Sequence, residues 1–354
     1  MSRDLPIVNA LGILDNPNSA HSLEAASQLN PTSDQFTIDE RALSDAHASG
    51  LTAVNITLGY TMGEMEPYAH TLREIATWDR IVAEHPADLV KVLAAGDIDQ
   101  ARADRRIGII YGFQNAVAVG DDPGRVAEFE RLGVRVIQLT YNQANHLGDG
   151  SMSANNGGLS TLGREVVAAL NDARVMVDLS HSGEQTCLEA IKASRAPISI
   201  NHTGCRALVD LPRNKTDEEL RLVAESGGFV GIYFMPFLNP SGYATAADVV
   251  AHLEHAIDVC GEDAVGLGTD GTVTEIDDLD GYRRVLADHV AERQAAGVGA
   301  AGERADTLPF VLDLSGVDQF HRLMTLLEKR RHSWARIEKV MGRNFIEYAA
   351  RIWG

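Results

Sequence analysis

Short apolar runs rich in β-branched residues recur along the chain and alternate with segments of helical spacing. Eight runs have the composition of buried strands: 7–14, 51–58, 107–113, 134–141, 174–181, 197–202, 227–234 and 264–270. Amphipathic segments lie between them, several ending near Gly, and the clearest cover 124–133, 161–173, 186–194, 216–226 and 246–261. Continuous apolar strands that alternate with helices are typical of a parallel sheet covered by helices.

The number of strand–helix units selects among the parallel α/β folds. Eight units in one chain of 354 residues favour a (β/α)8 TIM barrel, and no GxGxxG loop follows the first strand as a dinucleotide-binding sheet would require. An open α/β sheet is the second choice. Residues 271–310 are predicted to form a long loop-and-helix excursion, and the last forty or so residues to form closing helices. We expect residues 1–354 to form one domain.

Polar residues end several of the apolar runs. In a parallel barrel the carboxyl ends of the strands carry the functional groups, so these positions are the first candidates for a site. They are Gln114, Asn115, Tyr141, Asn142, His181, His202 and Asp270.

His181 and His202 end the fifth and sixth predicted strands, which are neighbours in such a barrel. Adjacent strands lie about 4.8 Å apart, and neutral imidazole is a common zinc ligand. The two histidines are therefore predicted to share one metal ion, with Asp270 from the eighth strand as the general base.

Composition narrows the class of partner. The formal net charge of −19 makes a nucleic-acid partner unfavourable, because phosphates would meet mostly repulsion. No run of about 18 apolar residues is present, so no membrane span is expected. Three scattered cysteines and an N-terminus without secretory features indicate a protein of the cytoplasm.

Several longer stretches resemble the membrane (renal) dipeptidase family of metallopeptidases, peptidase family M19, in the amidohydrolase superfamily. They are LGVRVIQLTYNQANHLGDG, the segment ending in DLSHSGEQT, APISINHTGCRAL, PRNKTDEELRLVAESGGFVGI, VGLGTDGT and the C-terminal MGRNF. The resemblance implies a barrel that hydrolyses dipeptides with zinc. It places His181 and His202 on metal-binding histidines, Arg213 on the arginine that holds the substrate carboxylate, and Asp270 on the catalytic aspartate. It also implies a homodimer.

The chain departs from the family pattern on one side of the site. The first strand, NALGILDNPN, lacks the His-x-Asp of the family; Gln114 in GFQN replaces a metal-bridging glutamate; and Tyr141 in LTYN replaces a substrate-contacting histidine. The GFQN and LTYN segments and the absence of a histidine in the first strand are similar to a bacterial branch of the family. Because two cations held close together need anionic ligands, we expect at most one Zn²⁺, on His181 and His202 with Gln114 as a weak third ligand. Tyr141 and Asn142 are expected to contact substrate.

Two hypotheses about function remain open. The first is a metal-dependent hydrolase of a dipeptide or a small amino-acid amide, in which Asp270 moves the proton and Arg213 holds a carboxylate. The second is a non-hydrolytic or metal-free pocket for a small carboxylated metabolite. Of the remaining histidines, His252 and His255 are predicted to lie on one exposed helix face.

Overall fold

The computed structural model describes residues 5–19, 36–63, 65–295, 297 and 299–354. Its strands are all parallel: β1 (Val8–Gly12), β2 (Ala53–Thr57), β3 (Leu89–Lys91), β4 (Ile107–Phe113), β5 (Val134–Gln138), β6 (Met176–Asp178), β7 (Ser199–Thr203), β8 (Phe229–Ile232) and β9 (Val265–Leu267). β2 pairs with β4 and β1 pairs with β9, so eight strands close into a barrel. The short β3 lies beside the first half of β4.

Helices follow the strands and cover the barrel. Those of the described residues are α1 (Glu40–Ala48), α2 (Pro67–Glu84), α3 (Ala95–Ala103), α4 (Arg125–Arg131), α5 (Thr161–Asp172), α6 (Glu184–Ala193), α7 (Asp217–Glu225), α8 (Ala246–Cys260), α9 (Leu279–Ala295), α10 (Gln319–Lys329), α11 (Trp334–Glu338) and α12 (Asn344–Trp353). A π-helical turn, Lys339–Arg343, joins α11 to α12.

Local sequence explains where these elements begin. Ser160 starts α5 by accepting a hydrogen bond from the Gly163 backbone N–H, and Thr216 starts α7 in a capping box with Glu219. Most strands are rich in apolar residues, all seven residues of β4 are buried, and β7 buries polar residues as well. A strand buried on both faces has no solvent side to carry polar residues, which accounts for the continuous apolar runs in the sequence.

The C-terminal MGRNF segment covers the end of the barrel at which β1 and β9 begin. A side chain at Gly342 would come within 2.7 Å of the Pro6 carbonyl oxygen, so only glycine allows the π-helical turn to approach the start of β1. Asn344 donates from Nδ2 to the carbonyl oxygens of Glu262 and Val265, both at 2.8 Å, which ties the final helix to the start of β9.

The barrel predicted from the sequence is confirmed, and each of the eight predicted strands overlaps one strand of the closed barrel. The prediction missed β3. The numbering in the structure includes β3, so the fifth, sixth and eighth predicted strands correspond to β6, β7 and β9. The excursion after β9 contains α9. No helix within the described ranges combines the length and the apolar character needed to cross a membrane.

The prediction for His252 was wrong. His252 is buried on α8, where its Nδ1 accepts from the Cys205 backbone N–H at 2.9 Å and its Nε2 lies 3.1 Å from the Leu238 carbonyl oxygen. His255 is partly exposed and contacts Asp217. The spacing along the helix predicted one exposed face for both residues, but in the structure His252 is buried and only His255 is partly exposed.

Candidate active site

His181 and His202 meet at the carboxyl end of the barrel. His181 lies three residues after the last residue of β6, and His202 lies within β7. Their Nε2 atoms are 2.9 Å apart and both side chains are buried, at 4% and 0% exposure. The structure thus brings the two imidazoles of the predicted site to one point.

A small hydrogen-bond network fixes the spacing of the two histidines. The Oδ1 atom of Asp178 accepts from the Ser180 hydroxyl and from the backbone N–H groups of Ser180 and Asn201, both at 3.0 Å. The Ser180 hydroxyl oxygen accepts in turn from the backbone N–H of His202 at 3.1 Å. The DLSH segment therefore links the end of β6 to β7 directly beside the imidazoles.

The ring of His181 is held from two sides. Its Nδ1 lies 2.7 Å from the Asn142 Oδ1, and Tyr141 stacks on it with ring centroids 4.3 Å apart. Because the amide oxygen is an acceptor, His181 Nδ1 carries the hydrogen and its Nε2 presents a lone pair toward His202. This tautomer leaves the lone pair of His181 Nε2 available to bind a cation.

Both imidazoles are neutral at pH 7. Burial lowers the pKa of His181 and of His202 well below the usual value, and the charges of Arg213 and Lys215 lower both further. Lys215 is itself buried, donates from Nζ to the Ser182 carbonyl oxygen and pairs with the buried Glu219 at 3.4 Å. A neutral imidazole keeps the lone pair that metal binding requires.

Asp270 follows β9 at the same end of the barrel. Its φ of 56° lies in the left-handed region that non-glycine residues seldom adopt, and its backbone N–H donates to the Leu11 carbonyl oxygen at 3.0 Å. Burial raises the pKa of the Asp270 carboxyl to about 6, while Arg213 and Arg293 act in the opposite direction. A strained backbone and a carboxyl with a pKa near neutrality are both typical of functional positions.

Arg213 lies behind the histidines with 2% exposure. Its Nη1 donates to the Ser180 carbonyl oxygen, and its guanidinium carbon lies 5.8 Å from the centre of the Tyr233 ring. Its charge acts on both histidines and on Asp270, so it belongs to the same group of side chains. Its predicted contact with a substrate carboxylate stays a prediction.

The residues predicted around the histidines are placed as follows. Tyr141 and Asn142 contact His181, which gives Asn142 an orienting position that the sequence did not suggest. Gln114 donates from Nε2 to the Thr57 hydroxyl at 2.8 Å, and its backbone carbonyl accepts from Gln138. The predicted roles of Tyr141 and Asn142 toward substrate and of Gln114 toward metal remain predictions.

Arg293 on α9 is a site residue that the sequence did not reveal. Its Nε donates to Glu303 Oε1 at 2.9 Å, its side chain hydrogen-bonds Tyr141, and its charge acts on His181 and Asp270. It comes from the excursion after β9, where no motif or periodicity marks it. Only the fold brings this cation to the histidine pair.

The separation of the two histidine nitrogens is close to that of two ligands of one metal ion. Tetrahedral Zn²⁺ with Zn–N bonds of about 2.0–2.1 Å separates two nitrogen ligands by about 3.3 Å, a small widening of the observed 2.9 Å. Within the part of the chain that the structure describes, no group of three or more His, Cys, Asp or Glu side chains is arranged to hold a metal. His202 Nδ1 is buried without a hydrogen-bond partner, whereas ligating histidines almost always have one. The described residues thus offer two imidazole nitrogens to a metal ion and no larger ligand group.

Known proteins resemble this chain along most of its length. The family model described as membrane dipeptidase (peptidase family M19) matches residues 48–297. Dipeptidase verJ of Clonostachys rogersoniana is 27% identical over 64% of this chain and 60% of its own length. The uncharacterised dipeptidase C3A11.10c of Schizosaccharomyces pombe is 31% identical over 59% of this chain and 52% of its own length. The chain thus spans about half to three-fifths of these two relatives.

Solved structures resemble the whole chain. An amidohydrolase from Pseudomonas aeruginosa is 31% identical, has a TM-score of 0.80 and is covered over 97% of its length by 99% of this chain. A metallopeptidase described as dipeptidase AC of family M19 is 20% identical, with a TM-score of 0.77 and coverage of 99% of this chain and 100% of its own. At that identity the second structure supports the fold alone.

Proposed function

Because the chain belongs to the membrane dipeptidase family, peptidase family M19, we propose that it hydrolyses a dipeptide or a small amide of an amino acid at the histidine pair. The family assignment confirms the resemblance seen in the sequence and the prediction of a metal-dependent, dipeptidase-like hydrolase. It does not favour the non-hydrolytic alternative. The proposal goes beyond the family assignment in naming the substrate and the number and kind of metal ions.

One observation carries the proposal: two buried, neutral imidazoles face each other with their Nε2 atoms 2.9 Å apart at the functional end of a barrel. His181 and His202 would hold one Zn²⁺. The chemistry that such an ion supplies is activation of water and polarisation of the scissile carbonyl. Among the residues that the structure describes, no group of three or more His, Cys, Asp or Glu side chains is arranged to hold a metal, which supports one ion over two.

The protein's own residues would move the proton and hold the substrate. Asp270 takes a proton from the attacking water as the C–O bond forms, and delivers it to the leaving nitrogen as the C–N bond breaks. Its pKa of about 6 suits both steps near neutral pH. Arg213, with Arg293 and Tyr141 nearby, would bind the substrate carboxylate, for which a guanidinium offers paired donors.

The test combines elemental analysis of the purified protein with a hydrolysis panel of dipeptides and amino-acid amides. We expect at most one equivalent of zinc per chain and turnover of at least one dipeptide that stops after chelation and returns with zinc. Two equivalents of metal would refute the single-ion site. Hydrolysis that is unaffected by complete metal removal would refute the metal-dependent reaction.

We also propose a cytoplasmic location and a homodimer. The support for the location is that Cys187, Cys205 and Cys260 are all free thiols, as expected in a reducing compartment. The dimer rests on the family resemblance alone. Size-exclusion chromatography with light scattering tests it directly.

A further inference from the structure

A cavity of about 320 Å³ opens beside Asp270, on the side of the barrel formed by the ends of β1 and β9. Pockets for small molecules usually measure about 300–1,000 Å³, so this cavity suits one amino-acid residue better than a longer peptide. Asp270 itself is one of its lining residues. A group bound in the cavity would therefore lie next to the proposed proton carrier.

The walls of the cavity are mainly apolar. Ile13 follows β1, Phe234 follows β8, and Tyr282 and Phe310 come from the excursion after β9. The Tyr282 and Phe310 rings pack at 6.0 Å between centroids, which gives the outer wall a continuous aromatic surface. Ile13 is 49% exposed although it is large and apolar. An apolar ligand group would remove this surface from water.

The charged side chains that line the cavity within the described residues are all carboxylates: Asp15, Asp270 and Glu275. The positive charges of Arg213 and Arg293 act on Asp270 and on His181 but come from residues outside this lining. The two ends of a dipeptide carry opposite charges. The cavity therefore suits the end with the ammonium group, and the arginines suit the end with the carboxylate.

We propose that this cavity binds the N-terminal residue of the substrate and selects a large apolar or aromatic side chain next to a free, positively charged amine. The inference rests on the proposed hydrolysis and names the substrate class: dipeptides or amides that begin with an apolar residue. Ile13, Tyr282 and Phe310 contact the side chain, and Asp15 and Glu275 attract the ammonium. The scissile bond then lies toward Asp270 and the histidines.

The first experiment measures selectivity with Phe-Ala and Ala-Ala in the metal-loaded enzyme. We expect a higher kcat/KM for Phe-Ala, because apolar contacts in a matched pocket are worth roughly ten- to two-hundredfold even for one methylene group. Ile13→Trp fills the cavity and should lower the ratio of the two kcat/KM values at least tenfold. Leu93→Trp places the same side chain at an exposed position that does not line the cavity, and should leave the ratio within twofold.

The second experiment measures binding without hydrolysis, using 2-phenylethylamine as the probe and 3-phenylpropanoate as its negatively charged counterpart. Calorimetry should show the amine binding at least tenfold more tightly than the carboxylate. It should also show at least a tenfold weaker affinity for the amine in Ile13→Trp, with no such loss in Leu93→Trp. Circular dichroism confirms that each variant is folded.

The outcomes separate the two ideas. Hydrolysis of dipeptides with a ratio that Ile13→Trp does not change would overturn the cavity assignment and leave the hydrolase intact. Equal binding of the amine to the unmodified protein and to Ile13→Trp, or tighter binding of the carboxylate, would also overturn it. Binding in the expected pattern without hydrolysis of any peptide or amide would keep the cavity and refute the proposed reaction.

Discussion

Asp270 combines an unusual backbone conformation with an unusual carboxyl pKa. A left-handed backbone conformation costs an aspartate roughly 1 kcal/mol or more relative to glycine, and burial disfavours the ionised carboxylate. Neither feature stabilises the fold. Their coincidence at a barrel strand end is the pattern of a residue kept for chemistry, with the surrounding structure offsetting the loss in stability.

Substituting Asp270 by Asn should therefore separate activity from stability. Turnover should fall about 10²–10⁴-fold, the usual range for a positioned general base. The folded pKa of about 6 lies above the unfolded value of 3.8, so the ionised group destabilises the fold fully above pH 6 and not at all below about pH 3.8. Asp270→Asn should then raise the free energy of unfolding by about 1–3 kcal/mol at pH 8. Asparagine also tolerates the left-handed conformation.

Urea denaturation of both proteins at pH 8 and pH 5 measures this effect, which should shrink at the lower pH. Asp210→Asn is the control, because the Asp210 side chain is 94% exposed. An Asp270→Asn protein with unchanged turnover would remove Asp270 from the mechanism. Lower stability at pH 8 would contradict the assigned pKa.

The same carboxyl group predicts the acid side of the pH profile. Asp270 accepts a proton only when it is ionised, so kcat/KM should fall as the pH drops through about 6. The residual activity of Asp270→Asn should lack this step. Initial rates between pH 4.5 and 8, in buffers that do not chelate metals, provide the measurement; a midpoint near 4 would show an unshifted carboxyl.

Arg213 predicts an effect that depends on the substrate. Lysine keeps the positive charge but loses the planar pair of donors, so Arg213→Lys should raise KM about tenfold or more for substrates with a free carboxylate. The same substrates with an amidated C-terminus should be affected much less. Arg206→Lys, in the same loop and paired with Glu184, is the control. An equal loss on both substrate types would assign Arg213 a structural role.

At the scale of secondary-structure elements, the contact between β6 and β7 decides where the histidines lie. Asp178 accepts from two backbone N–H groups and the Ser180 hydroxyl, and Ser180 extends the network to His202. The structure thus couples the stability of the strand pair to the geometry of the imidazoles. Asp178 is a positioning residue, because it acts through its neighbours.

Removing the Asp178 acceptor should affect both properties. Asp178→Ala leaves two buried N–H groups without a partner and should cost about 3 kcal/mol of unfolding free energy. Asp178→Asn keeps an oxygen at the same place and should recover most of this loss. Equilibrium dialysis should show weaker Zn²⁺ binding in Asp178→Ala than in Asp178→Asn. Equal zinc affinity in both would show that the network does not position the histidines.

The sequence predicted the elements of this fold better than their contacts. The eight barrel strands were recognisable because each is a short, largely β-branched or apolar run that ends in polar residues. β3 was missed because three residues, Leu89–Lys91, carry too little pattern to identify a strand. His181, His202 and Asp270 were predicted because a parallel barrel places functional groups at strand ends. Arg293 was not, because its partner Tyr141 is far away in sequence and α9 carries no motif.

At the scale of the whole molecule, the number of metal ions that the chain binds depends on the ligands that all the strand ends provide together. The two-ion arrangement needs carboxylates around the ions, and the described residues provide no three-residue ligand group. Gln114→Glu adds a negative charge and should therefore raise the affinity for zinc about tenfold. Zinc titration with a competing chelator measures it, and Gln100→Glu at an exposed position of α3 is the control. Unchanged affinity would place Gln114 outside the reach of the metal.

The excursion that follows β9 supplies both the aromatic wall and Arg293, while the histidines and Asp270 stand on the barrel itself. The side chains proposed to break the bond thus lie on the barrel, whereas one wall of the cavity and Arg293 come from the excursion. Exchanging this stretch between related barrels should therefore change the preferred substrate while the histidines and Asp270 keep their places on the barrel, and it would also replace the charge of Arg293 beside them. In engineering and in divergence alike, such an exchange would replace one wall of the cavity and keep the wall that follows β1 and β8.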